Sequence, residues 1–378
     1  MNTPERAQEP GDEGAASGGT QFGIGKSILF SAILLVAFFG TIELGLRAWV
    51  FFFRAGYERF DLATQTFELV PGSYPGRIRI NSQGFVGAEL QPDAPDLWRI
   101  YALGDSCTFG GGNETETYAA MLQRRLGEKD PGTGLRYEVV NGGVQGLNSE
   151  LALNRFRAKA PLVRPEIVTI YVGWNDLMKV DPAGQGSSDR LAGVARALDS
   201  LWIVKGLRKL VFFNLRPKLY PPRTGPESET GRFRGFEPSI YERNLREIVG
   251  AVREMHARPV LLTLPTVVRR DMTADDLRAS AVVFPYFPGA NAVGDFLDLL
   301  EAYNRTIRRV AAEEHVPLVD IARTFAAMPD VRPYFYDTMH PEMSGREVIA
   351  GELDRALRQG GLLSPDAATG AAVSGATP

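Results

Sequence analysis

A serine hydroxyl attacks a carbonyl only when a neighbouring base takes its proton, and this chain carries both halves of that pair far apart. Ser106 stands in LGDSCTFG (103–110), where an apolar run passes into a polar turn ahead of a helical stretch. Such a turn sets a hydroxyl beside free backbone N–H groups that favour negative charge. Position 108 is threonine, so the segment is not the G-x-S-x-G elbow. His340 stands in YDTMHP (336–341). Its ordinary pKa near neutrality suits a general base. Asp337, three residues earlier, is close enough for one turn to present both side chains, the carboxylate accepting the imidazole Nδ1–H and fixing the tautomer. Cys107 is a lesser candidate nucleophile, because adjacent side chains on a turn point different ways. Asp105 reads as support for the turn.

Two further segments put polar or flexible residues after apolar runs. NGGVQGLNS (141–149) supplies glycines that let a backbone turn sharply and offer an N–H. YVGWND (171–176) places Asn175 where its amide can face an oxyanion. Each segment alone has an ordinary structural explanation. Ser106 reads equally as a helix cap, the glycines as a plain loop, Asn175 as a turn residue and His340 as a capping or surface histidine. Together they are more specific, because three of them follow successive predicted strands.

The strands are WRIYALG (98–104), YEVVN (137–141), EIVTIYVG (166–173), PVLLTL (259–264) and VPLVDI (316–321). Helical stretches fall at about 115–128, 149–160, 239–256, 297–314 and 343–358. Nearly unbroken apolar strands alternating with helices predict a parallel sheet covered on both faces, with right-handed crossovers. Open α/β sheets hold their ligands at the carboxyl ends of the strands, where these segments lie. Long insertions are expected at about 178–238 and 266–296. Their aromatics, Phe212, Phe213, Tyr220, Phe284, Tyr286 and Phe287, read as core before pocket.

Ahead of this domain (98–362), residues 1–25 read as a disordered tail and 26–54 as a transmembrane helix. SILFSAILLVAFFGTIELGLRAWVFFF (27–53) exceeds the ~20 residues a span needs. Glu43 and Arg47 are spaced to pair along it. A buried soluble helix or a cleaved signal peptide are the alternatives; the long polar tail and the lack of a small-residue cleavage site count against the second. Lys26 on one side against Arg54 and Arg59 on the other leans towards a cytoplasmic body. Residues 55–97 read as an extended, β-rich linker or subdomain, and 363–378 as a disordered tail.

Composition removes other classes. The 378 residues, 44% hydrophobic and 23% charged, suit one large domain or two small ones. A net charge of -3 and no basic run exclude a nucleic-acid partner. The single cysteine excludes a disulfide framework and a cysteine zinc site. The three histidines, His256, His315 and His340, are too scattered for a metal site. Gly110–Gly112 superficially suggests a phosphate cradle, but neither nucleotide-binding glycine motif is present, and no cofactor is expected.

With four blocks in order, the sequence resembles the SGNH (GDSL-type) hydrolase family over roughly residues 98–360. GDSC with Ser106, V-Q-G with Gly146, G-W-N-D with Asn175 and D-T-M-H with Asp337 and His340 match its blocks. Cys107 departs from the leucine often found there and is expected to pack behind the nucleophile. The resemblance implies a flavodoxin-like three-layer α/β/α sandwich with strand order 2-1-3-4-5. It implies an oxyanion hole of the Ser106 N–H, the Gly146 N–H and the Asn175 side chain. The expected activity is a serine esterase acting on a carboxylic ester. The alternatives are acyl transfer or deacetylation on a cell-surface polysaccharide, and an inactive glycan- or protein-binding domain. I-N-S-Q-G-F (80–85) is similar to a segment of membrane-tethered members, which outweighs the charge count and implies an extracytoplasmic body. Oligomeric state is not readable.

Overall fold

Apolar, β-branched strands with no polar face must be covered on both sides, and this requirement organises the molecule. The computed structural model describes residues 24–53, 56–127, 129–180, 221–285 and 290–364, with positions 201, 203, 204 and 207. Outside these residues lie most of both expected tails, most of the first insertion, and Phe212, Phe213, Tyr220, Tyr286 and Phe287.

An apolar helix, α1 (Ile24–Phe53), is followed by a two-stranded antiparallel hairpin, β1 (Glu58–Asp61) and β2 (Thr66–Leu69). Five parallel strands form the sheet: β3 (Leu97–Gly104), β4 (Arg136–Asn141), β5 (Ile167–Tyr171), β6 (Arg258–Leu262) and β7 (Leu318–Val319). Their order is β4-β3-β5-β6-β7, which is 2-1-3-4-5 counted within the sheet. Ile100 sits level with Val139 on one side and Ile167 on the other. The connecting helices are α2 (Ser106–Phe109), α3 (Tyr118–Leu126), α4 (Ser149–Val163), α5 (Trp174–Met178), α6 (Ser239–Glu254), α7 (Ala274–Ala279), α8 (Val293–Glu313), α9 (Ile321–Ala326) and α10 (Met343–Gln359). Helix α3 packs on α10, and α4, α6 and α8 pack together. Right-handed crossovers send these two groups to opposite faces.

Three strands stop short of their apolar runs: β6 ends at Leu262, and β5 and β7 end for local reasons. The β5 ladder ends at Tyr171 because Gly173, at φ 134°, turns the chain into α5. The last strand keeps only two residues because Asp320 leaves the ladder to cap α9, accepting the Arg323 N–H at 3.2 Å. Asp320 also binds the Thr263 hydroxyl at 2.9 Å and Arg308.

Close approach at the end of β3 demands glycine. A Cβ on Gly104 would lie 1.9 Å from Thr108 Oγ1 and 2.8 Å from the Tyr171 carbonyl oxygen. Overpacking of this kind costs about 1–3 kcal/mol. Gly104→Ala is therefore expected to lower stability by that amount in denaturant titration. An unchanged midpoint would mean that the turn relaxes freely.

Helix α1 is long and apolar enough to cross a membrane, and none of its apolar stretch Gly25–Ala48 is buried by the rest of the described protein. Arg47 Nε donates to Glu43 Oε1 at 2.8 Å, as the spacing predicts. The other Glu43 oxygen accepts the Ile203 N–H at 3.0 Å.

The segment after the helix is bonded into the domain. Arg155 of α4, fully buried, donates to the carbonyls of Gly142, Phe67 and Gly84 and pairs with Glu68 at 3.2 Å. Lys159 reaches the same Glu68 at 2.8 Å. In I-N-S-Q-G-F, the Asn81 side chain accepts the Gln83 and Phe85 amides and donates to Ala88. The turn it makes sends Phe85 into the core beside Tyr101.

Candidate active site

Ser106 is the first residue of α2, and its position is fixed from below by Asp105. The buried Asp105 carboxylate caps the helix, accepting the Cys107 N–H at 2.9 Å. The capping role therefore belongs to Asp105, which leaves the Ser106 hydroxyl free for another partner. That partner is His340: Ser106 Oγ lies 2.7 Å from His340 Nε2. On the far side of the ring, His340 Nδ1 lies 2.7 Å from Asp337 Oδ2. Asp337 Oδ1 accepts the backbone N–H groups of Met339 and His340 at 3.0 and 2.9 Å, so the carboxylate also shapes the turn that presents the imidazole. Burial works against the charged Asp337 carboxyl. The His340 hydrogen bond and charge and the two amides outweigh it and hold its pKa below the usual carboxylate value.

Three contacts keep this turn in register with Ser106. The Tyr336 ring stacks on the imidazole at 5.4 Å with 9° between planes. The buried Arg346 guanidinium donates to the carbonyls of Pro341, Gly111 and Glu116 at 2.9, 2.8 and 3.1 Å, tying the histidine loop to the chain after α2. Thr338 is clasped by Thr266 and Val283 of the second insertion. Phe284, beside it, packs edge-on against Phe296.

The other expected residues lie on the neighbouring loops. The loop after β4 is anchored by Val144 N–H donating to the Gly104 carbonyl at 3.2 Å. Its crest holds Gly146 at φ 76°, the sign a type II turn requires at its second central residue. Asn175, in α5, donates through Nδ2 to the Leu147 carbonyl at 3.0 Å, with Asp105 Oδ2 at 3.5 Å. Among the described residues, neither the Ser106 N–H nor the Gly146 N–H donates to another protein group. Asp176, next to Asn175, binds the Ser149 N–H and hydroxyl at 2.9 and 2.6 Å and so fixes the start of α4.

Burial dominates the electrostatics beneath the serine. It pushes Asp105 up to about 6, against the Cys107 amide and the His340 charge. It raises the Cys107 thiol well above its ordinary value, with Asp105 and Asp337 adding to the effect. Cys107 is fully buried with Sγ 3.6 Å from the Met339 carbonyl, so a thiolate nucleophile is disfavoured. The space beside Ser106 bounded by Gly110, Gly111, Tyr336, His340, Pro341 and Arg346 is tight and largely closed. A roomier cleft of about 400 Å³ lies between the end of β6, α8 and α9, away from Ser106 and His340. No acidic, histidine or cysteine cluster suited to a metal occurs among the described residues.

The sequence model of the GDSL-like lipase/acylhydrolase family matches residues 102–348, well over half of the chain. The chain belongs to the GDSL-like lipase/acylhydrolase family. Membership makes it a hydrolase acting on ester bonds. Among curated proteins there is no match. Solved structures similar to this GDSL-like hydrolase include TesA, at 19% identity over 70% of this chain and 99% of that one, with a TM-score of 0.41. A lipase/acylhydrolase from Enterococcus faecalis shares 15% identity over 69% and 96%, TM-score 0.42. The acetyl xylan esterase AlAXEase shares 14% over 68% and 99%, TM-score 0.41.

Sequence reasoning about this GDSL-like hydrolase passed over Arg346, Tyr336 and Asp176. Arg346 lies six residues after His340, inside an ordinary amphipathic helix, and nothing in its neighbours marks it as buried. Asp176 was legible as the D of G-W-N-D, but its partner Ser149 is 27 positions away.

Proposed function

We propose that the protein is a serine esterase working through an acyl-Ser106 intermediate. The observation that carries this reading is the unbroken chain Ser106 Oγ–His340–Asp337, with both links at 2.7 Å. His340 Nε2 takes the hydroxyl proton as Oγ bonds to the ester carbonyl carbon. The carbonyl oxygen becomes an oxyanion held by the Ser106 and Gly146 N–H groups and the Asn175 amide. Collapse breaks the bond to the alcohol, which leaves with the proton from His340. Water, activated by the same imidazole, then adds to the acyl-serine and releases the acid. Asp337 keeps Nδ1 protonated throughout.

The same acyl-enzyme can pass its acyl group to a sugar hydroxyl instead of water. Ser106 and His340 are both only half-buried, so an incoming alcohol can reach the acyl-serine. Product analysis with and without an oligosaccharide acceptor separates the two. We read α1 as the membrane anchor of an extracytoplasmic catalytic domain. Protease protection in intact cells tests that placement, and digestion of the body only after lysis from the cytoplasmic side would overturn it.

Removing one oxyanion donor typically lowers kcat by about 10²–10³. Asn175→Ala is expected to fall in that range on p-nitrophenyl acetate with KM little changed. A loss below threefold would take Asn175 out of the oxyanion hole.

A further inference from the structure

We propose that Glu58, on the hairpin that follows α1, is a positioning residue for the Gly146 loop: its carboxylate holds the Gln145 N–H, fixing the Val144–Gln145 peptide from which the next N–H, that of Gly146, is set towards the oxyanion. The proposal rests on the serine-esterase reading above and extends the site beyond the residues 102–348 that carry the family match.

The ends of the loop are held by the sheet and by Asn175, through Val144 N–H and the Leu147 carbonyl. Its crest is open, and a Cβ placed on Gly146 would meet nothing within 4 Å. The crest amide that is bonded is Gln145 N–H, to Glu58 Oε1 at 3.3 Å. The bed of the loop comes from the same segment. A small second core gathers Leu69, Ile78, Ile80 and Val86 with Val144 and Leu147, which flank Gly146, and with Phe109, the last residue of the nucleophile helix. Tyr57, beside Glu58, stacks its ring on Phe109 at 5.8 Å.

Glu58 is not needed to dock the hairpin. Thr66 Oγ1 to Leu151 at 2.8 Å, Asn154 to Gln65 at 3.1 Å and the Arg155–Glu68 pair do that from β2 and the turn. Partial burial pushes the Glu58 carboxyl up to about 7, against the Gln145 amide and the Arg155 charge. A carboxylate kept under that desolvation, with a backbone N–H on an otherwise open crest as its partner, fits a role in the loop.

The test uses the full chain in detergent at pH 8, where the Glu58 carboxyl is ionised, with p-nitrophenyl acetate and a fluorophosphonate probe. One hydrogen bond is worth about 0.5–1.5 kcal/mol, so Glu58→Ala should lower kcat several-fold, up to about tenfold, with KM within twofold. Glu58→Gln, whose amide oxygen accepts the same N–H, should recover kcat to within about twofold. Thr66→Ala serves as the structural control: it should lower the melting temperature and leave kcat alone. Wild-type kcat in Glu58→Ala, or a Glu58→Gln variant as impaired as Glu58→Ala, overturns the proposal. If the wild type neither hydrolyses the ester nor labels at Ser106, the esterase reading itself is overturned, and the two failures are thereby distinct.

Discussion

Ser106→Ala should abolish both ester hydrolysis and fluorophosphonate labelling while leaving the fold intact. The hydroxyl makes one contact that matters to chemistry, the 2.7 Å link to His340, and α2 is capped by Asp105, not by Ser106. Its loss therefore removes the proposed nucleophile without removing a structural support. In serine hydrolases built on such a triad, loss of the serine lowers kcat by on the order of 10⁶. The melting temperature should move little, because the residue is only half-buried. Labelling that persists at the wild-type rate would transfer the nucleophile role elsewhere. The adjacent Cys107 thiol is a poor heir, buried and strongly resistant to ionisation.

The second large effect is expected at Asp337→Asn. Two functions meet in this carboxylate, and the substitution separates them. Asn Oδ1 can still accept the Met339 and His340 backbone amides, so the turn survives. The new NH₂ group, however, faces His340 Nδ1 as a donor where an acceptor stood at 2.7 Å. The ring must then carry its proton on Nε2 and has no lone pair for the Ser106 hydroxyl. A tautomer reversal of this kind costs about 10⁴ in kcat. Steady-state kinetics on a p-nitrophenyl ester with a parallel circular dichroism spectrum would check it. Activity within tenfold of wild type and an unchanged spectrum would remove Asp337 from the triad.

How much of this was legible in the residues themselves differs by element. The five strands and their helices follow from apolar periodicity, because a parallel sheet buried on both faces leaves an unmistakable texture. Strand ends were overrun at Val172, Thr263 and Asp320; at the first a positive-φ glycine and at the last a capping carboxylate overrules β-propensity. The Ser106, Asn175 and Asp337/His340 segments were visible because strand ends, glycines and short polar motifs coincide there. The supports were not visible. Arg346 acts across 235 positions to Gly111, and Glu58 across 87 to Gln145. Contacts at such separation depend on the folded path of the chain and leave no local pattern.

Burial of Cys107 has a practical corollary for testing whether α1 is a membrane anchor. The chain's single thiol is shielded and stays protonated at neutral pH, so maleimides should pass it by. A cysteine introduced at Leu62, 77% exposed on the hairpin turn, would then be the molecule's one reactive sulfur. If α1 spans the membrane as proposed, the accessibility of that cysteine to a membrane-impermeant reagent in whole cells reads out which side the hairpin occupies, without a signal from Cys107.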